Sequence, residues 1–228
     1  MTMIGDNLQH VRERIVAACT AVGRDPASVH LLAVSKTFPA DVVREAQAAG
    51  QAAFGENYVQ EGVAKIEALA DLQGKLEWHC IGPLQSNKTR VVAEHFDWVH
   101  SIDRLKIAQR LSEQRPAELP PLQVCLQVNV DAGANKSGVA PGEALALARA
   151  VAKLPRLRLR GLMAIPEPAP DFESQRALFL AAARVFDAIR ADGIALDTLS
   201  LGMSADLEAA IAAGSTMVRV GTAIFGRR

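Results

Sequence analysis

Three stretches of this chain combine residue types that could hold or attack a small anionic molecule. The first closes on Lys36: from His30 onward the sequence reads His-Leu-Leu-Ala-Val-Ser-Lys, so an amine ends an apolar run. Side chains alternate along a strand, which sets Lys36 on the face of Leu32 and Val34. A lysine in a partly apolar mouth can act as a neutral nucleophile and form a Schiff base with a carbonyl. A surface lysine just past a strand end has the same local sequence. The second stretch, residues 217–226, places Arg219 inside an otherwise apolar run and follows it with Gly221 and Thr222. An inward guanidinium needs an anion or a lone pair, because burying it unpaired is very costly. An outward arginine on a strand edge is the alternative, and a closed barrel has no such edge. The amide of Gly221 and the hydroxyl of Thr222 suit a phosphate oxygen. The third stretch, residues 200–206, offers the Ser200 hydroxyl and a close backbone approach at Gly202. Ser204 and Asp206 are also what an ordinary helix start requires.

Other polar residues are less specific. Asn57 follows Phe54-Gly55-Glu56, and His79 lies in Trp78-His79-Cys80-Ile81-Gly82-Pro83. His79 reads either as an acid or base or as a hydrogen-bonded core histidine. Lys136-Ser137 has no glycine directly before the lysine and does not follow the first strand, which excludes a Walker site. The chain shows no dinucleotide fingerprint, no nucleophile elbow and no metal-ligand spacing, so no metal is expected.

These residues need a scaffold that gathers distant strand ends. Short apolar runs at 30–37, 52–58, 78–82, 98–102, 122–130, 157–165, 198–202 and 217–225 are bounded by Gly, Pro or polar residues, as buried parallel strands are. Amphipathic stretches lie between them, most clearly at 39–47, 140–154, 171–192 and 205–213. Alternating strands and helices predict a parallel sheet, and eight strand candidates predict a closed (β/α)8 TIM barrel rather than an open doubly wound sheet. Barrel active sites lie at the C-terminal strand ends, where Lys36 and the stretch from Ser200 fall. Closure makes strand eight a neighbour of strand one and brings Arg219 towards Lys36. An extra amphipathic helix at 7–22 precedes the first strand and is expected to cover that seam. No linker divides the chain, so residues 1–228 are read as one domain.

Lys+Arg and Asp+Glu balance at 25 each, which argues against a nucleic-acid or membrane footprint but not against a local basic pocket. Cys19, Cys80 and Cys125 are odd in number and match no metal or disulfide pattern, as expected of buried thiols in a reducing compartment. No secretory segment or membrane-length apolar run is visible, so a cytoplasmic protein is expected.

Taken in order, Ala33-Val34-Ser35-Lys36-Thr37, Phe54-Gly55-Glu56-Asn57-Tyr58-Val59-Gln60-Glu61, Trp78 to Lys88, Leu159 to Pro166, Leu199 to Ser204 and Ala210 to Gly226 closely resemble the pyridoxal phosphate homeostasis proteins, the YggS/PROSC family. The resemblance covers nearly the whole chain. It implies a barrel like the N-terminal domain of alanine racemase, pyridoxal 5′-phosphate as cofactor, and a role in vitamin B6 and amino-acid homeostasis without established turnover. It implies that Lys36 carries the cofactor as a Schiff base, Arg219 faces the pyridine nitrogen, and Ser200, Gly202, Gly221 and Thr222 surround the phosphate, with Asn57 at the mouth. Phe38 stands where relatives often carry a lysine. Partners would be the cofactor and its apoenzymes, with the protein itself a monomer. A racemase-type enzyme is the rival reading. It requires a second base, for which His79, Lys136 and the single tyrosine, Tyr58, are the candidates. A phosphosugar-type barrel enzyme without cofactor is a third.

Overall fold

The computed structural model describes residues 2–131 and 137–226. Its chain order is α1 (Met3–Ala21), β1 (His30–Val34), α2 (Ala40–Ala48), β2 (Ala53–Glu56), α3 (Val59–Ala68), β3 (Glu77–Cys80), α4 (Thr89–His95), β4 (Trp98–Ile102), α5 (Leu105–Gln114), β5 (Leu122–Gln127), α6 (Pro141–Val151), β6 (Leu157–Met163), α7 (Phe172–Ala191), β7 (Thr198–Ser200), α8 (Leu207–Ala212), β8 (Met217–Val220) and α9 (Thr222–Phe225). The strands pair in parallel and in sequence, and β8 closes on β1 with Leu32 opposite Arg219. This is the predicted barrel.

Two apolar layers result from the alternation of side chains. The larger lies between strands and helices and is built from residues such as Ala33, Val43, Phe54, Val99, Leu126 and Val218. Inside the barrel, Trp98, Cys125 and Met163 form a small apolar cluster. His79, His100, Ser200 and Arg219 are also buried, so the barrel axis is unusually polar. Helix α1 starts at Met3, four residues before the predicted stretch, where the Thr2 hydroxyl accepts from the Gly5 amide. The helix packs against α2, α8 and α9, over the β8–β1 seam. Asn7 donates to the Ile224 carbonyl at 2.8 Å, and Arg14 pairs with Glu208 at 2.8 Å.

Several boundaries differ from the expected ones. The first strand ends at Val34 rather than at residue 37, because Thr37 turns the chain at φ 71°. The run at 217–225 is a strand only to Val220, and its second half is α9. Helix α8 begins at Leu207, with Asp206 before it, so Ser204 is not its cap. The Asp206 carboxylate instead accepts from the Met203 amide at 2.6 Å. Among the described residues, no helix is long and apolar enough to cross a membrane, and no group of three or more His, Cys, Asp or Glu is arranged to hold a metal ion.

Candidate functional site

The loops after β1, β2, β3, β6, β7 and β8 converge on a cavity of about 790 Å³ at the C-terminal mouth of the barrel. Lys36, Asn57, Ser204, Arg219, Gly221 and Thr222 supply its polar wall, and Val34, Ile81, Ile165 and Met203 its apolar wall. Among the described residues, its charged lining residues are Lys36 and Arg219, and no carboxylate lines it. A larger cavity of about 860 Å³ opens at the opposite mouth. There Arg160 pairs with Asp197 at 2.8 Å, and the Glu77 carboxylate is hydrogen-bonded to His79 at 2.7 Å.

Lys36 lies two residues beyond β1, exposed to the cavity. Its two chain neighbours are tied to a buried cluster. The Ser35 carbonyl accepts from Lys65 Nζ at 2.7 Å, and the Ser35 hydroxyl donates to Glu56 Oε1 at 2.6 Å. On the other side, the Thr37 amide donates to Glu61 Oε1. Lys65 Nζ joins the two halves by donating to Glu56 Oε1 at 2.7 Å and Glu61 Oε1 at 2.8 Å. The loop is thereby held in a conformation that a β-branched residue such as Thr37 rarely adopts. Burial pushes the Glu56 carboxyl above its ordinary range, against the hydrogen bonds from Lys65 and Ser35.

Arg219 is buried and finds lone pairs rather than an acid. One terminal nitrogen donates to the Ser200 carbonyl at 2.6 Å and the Ser200 hydroxyl at 2.8 Å, and the other to the Ala164 carbonyl at 3.0 Å. Burial lowers its pKa to about 10, with Asp206 acting in the opposite sense. The guanidinium remains a cation at neutral pH.

The structure therefore brings Lys36, Asn57, Arg219, Gly221 and Thr222 to one cavity and sets two sequence candidates behind it. The Ser200 hydroxyl is buried between Arg219 and His100 Nδ1, 3.1 Å away. Gly202 makes the turn after β7 at φ 89°, where a Cβ would come within 2.5 Å of the Ala210 methyl. Its carbonyl accepts from the Arg219 amide at 3.0 Å. At the wall itself stands Ser204, which the sequence suggested only as a helix cap. Its hydroxyl accepts from the Ala223 amide at 3.4 Å and joins the two loops. Phe38 packs its ring on Phe225, 5.4 Å between centroids, at the rim.

Of the three candidate second bases, His79 is enclosed in the barrel with both ring nitrogens bonded, to Glu77 and to His100. Tyr58 is 58% exposed and lies outside the cavity wall. Lys136 lies outside the described residues.

Comparison with known proteins gives a consistent picture. The family model for the alanine racemase N-terminal domain matches residues 7–228. The pyridoxal phosphate homeostasis protein of Pseudomonas aeruginosa is 62% identical over 228 residues, covering 100% of this chain and 97% of that protein. Its counterpart in Escherichia coli is 59% identical over 229 residues, covering 100% and 98%. Among solved structures, PipY of Synechococcus elongatus with PLP bound is 39% identical at a TM-score of 0.85, covering 98% of this chain and 100% of that one. Alanine racemase of Corynebacterium glutamicum shares the fold at a TM-score of 0.70 and 19% identity, and this chain matches 60% of its length.

Proposed function

Because this chain belongs to the pyridoxal phosphate homeostasis protein family, we propose that the C-terminal cavity binds pyridoxal 5′-phosphate and that the protein serves the cell's vitamin B6 balance by holding it. The observation that carries the reading is the charge of the wall: among the described residues, it has two cationic side chains and no carboxylate, in a chain of zero net charge. Such a wall favours a ligand that brings its own negative charge, and the volume suits one of small-molecule size. When bound, this cofactor supplies an aldehyde for a lysine amine and a phosphate for hydrogen-bond donors.

Lys36 is the amine we assign to covalent attachment, since it is the one lysine among the described residues of the wall. Ser204, Gly221 and Thr222 are assigned to the phosphate, in place of Ser200 and Gly202, which support the wall from behind. Gly221 matters for the approach: a Cβ there would sit 3.1 Å from the Val34 carbonyl. Arg219 is assigned to the ring nitrogen, and Asn57 borders the ring. Recipient apoenzymes are a further part of the proposal, as is a monomeric state.

A titration separates this reading from a general anion site. Pyridoxal 5′-phosphate should bind with a new absorption band, pyridoxal at least tenfold more weakly, and inorganic phosphate should compete. Charge-assisted hydrogen bonds contribute about 1.5–3 kcal/mol each before opposing losses, so a single one lost already accounts for a tenfold difference. Equal affinity for the two aldehydes would remove the phosphate assignment, and no band with either would remove the function.

A further inference from the structure

The polar barrel axis contains an unbroken hydrogen-bonded chain from one mouth to the other. Glu77 Oε1 lies 2.7 Å from His79 Nε2 at the N-terminal mouth. His79 Nδ1 lies 2.9 Å from His100 Nε2. His100 Nδ1 lies 3.1 Å from the Ser200 hydroxyl, which accepts from Arg219 at 2.8 Å. Both histidines and Ser200 are fully buried, and Glu77 is the solvent-facing end.

The two ends of this chain fix its direction. An ionised Glu77 can only accept, and hydrogen bonds hold its carboxyl below the ordinary range. His79 must then carry hydrogen on Nε2 and accept at Nδ1. His100 must donate from Nε2 and accept at Nδ1, which leaves the Ser200 hydroxyl as donor to His100. The other end is compatible with this direction. A guanidinium can only donate, so the Ser200 oxygen accepts from Arg219 and its hydrogen is available to His100. Every donor in the chain meets an acceptor with both rings neutral, and burial lowers the pKa of each imidazole. In this arrangement a second proton on His79, at Nδ1, would face the hydrogen of His100 Nε2. The His79 ring plane is held by stacking on Trp98, 5.1 Å between centroids at 10°, and Arg160 covers the Trp98 ring at 4.7 Å.

We propose that Glu77, His79 and His100 are positioning residues for Arg219: they polarise and orient the Ser200 hydroxyl so that the guanidinium is fixed on the wall of the ligand cavity. The effect on the ligand rests on the function proposed above, whereas the relay itself is a property of the protein alone. It makes Glu77, at the far mouth, part of the machinery of a site it does not touch.

Two measurements test this. Nitrogen-15 spectra of the free protein at pH 7 should show both rings neutral with hydrogen on Nε2. A cationic ring, or hydrogen on Nδ1 of either, overturns the relay whether or not any cofactor binds. The second measurement is affinity for pyridoxal 5′-phosphate. His100→Leu should raise Kd about tenfold, the equivalent of about 1.4 kcal/mol. His100→Gln should restore most of it, because its amide oxygen and nitrogen reproduce an acceptor towards Ser200 and a donor towards His79. Glu77→Gln, on the half-exposed end, should fold normally, bind more weakly and mix the His79 tautomers. Folded His100→Leu with parental affinity contradicts the proposal. Equal weakening by His100→Leu and His100→Gln does so too, by reducing the residue to packing. Failure of the parent to bind removes the proposed function, and the spectra still decide the relay.

Discussion

Lys36 owes its position to its neighbours. Ser35 and Thr37 are both clamped to the Lys65 cluster, so the lysine side chain is free to project while its backbone is fixed. Removing the cation from that cluster exposes its cost. Lys65→Met leaves Glu56, fully buried, without its charge partner, and breaking a buried pair in this way typically costs about 3–5 kcal/mol. Urea unfolding should show a loss of that size, and covalent capture of a ligand at Lys36 should fall with it. A loss under 1 kcal/mol would mean that the cluster is not what holds the loop. Lys36, Arg219, Gly221 and Thr222 were legible in the sequence because each interrupts or ends an apolar run. The cluster was not. Glu61 and Lys65 are four apart on α3 and read as a solvated helical pair, and nothing local says that Glu56 is sealed beneath them. Ser204 was missed for a related reason: a serine before a helical pattern reads as a cap, and only the late start of α8 frees it for the cavity wall.

At the level of elements, the short apolar runs located all eight strands but overran most of their C-terminal ends. In an α/β barrel the apolar pattern continues into the loops, because the loop side chains line the mouth or cover the core. Val220 and Ile224 are both buried, yet the first closes β8 and the second belongs to α9. Composition alone does not reveal the change of dihedral at Gly221. The same limit hides the irregularity in β6, where the register against β5 shifts between Val124 and Cys125 so that Cys125 faces Gly161. Gly161 is needed because β7 comes so close: an added Cβ would lie 1.6 Å from the Thr198 carbonyl. Gly161→Ala is therefore predicted to part β6 from β7 and cost at least the 1–3 kcal/mol typical of overpacking, about the upper figure here because backbone is the obstacle. Gly142→Ala, with open space around it, serves as the control and should change little. Equal stability of the two variants in urea would contradict the close approach.

For the molecule as a whole, the barrel separates an apolar outer layer from a polar axis, and the axis ties stability to pH. His79 and His100 are held neutral when folded and protonate near the ordinary value of 6.5 when unfolded. The unfolded chain is then the better proton binder below that value, so stability declines as pH falls from 6.5, by up to about 1.4 kcal/mol per pH unit for each histidine. Glu56, with its raised pKa, acts in the opposite sense, so the comparison is between the parent and His100→Gln. Between pH 6.5 and 5.5 the parent should lose stability more steeply than the variant, and parallel slopes would show that His100 titrates normally in the folded protein. The same barrel gathers loops from six strand ends, far apart in sequence, into one cationic mouth, and the account stands or falls on what that mouth does. The most direct measurement is to load the protein with pyridoxal 5′-phosphate, reduce it with borohydride and map the modified peptide by mass. The account predicts a phosphopyridoxyl group on the Lys36 peptide and loss of the visible band in Lys36→Ala. Label on another lysine, or an unchanged band in Lys36→Ala, would contradict it.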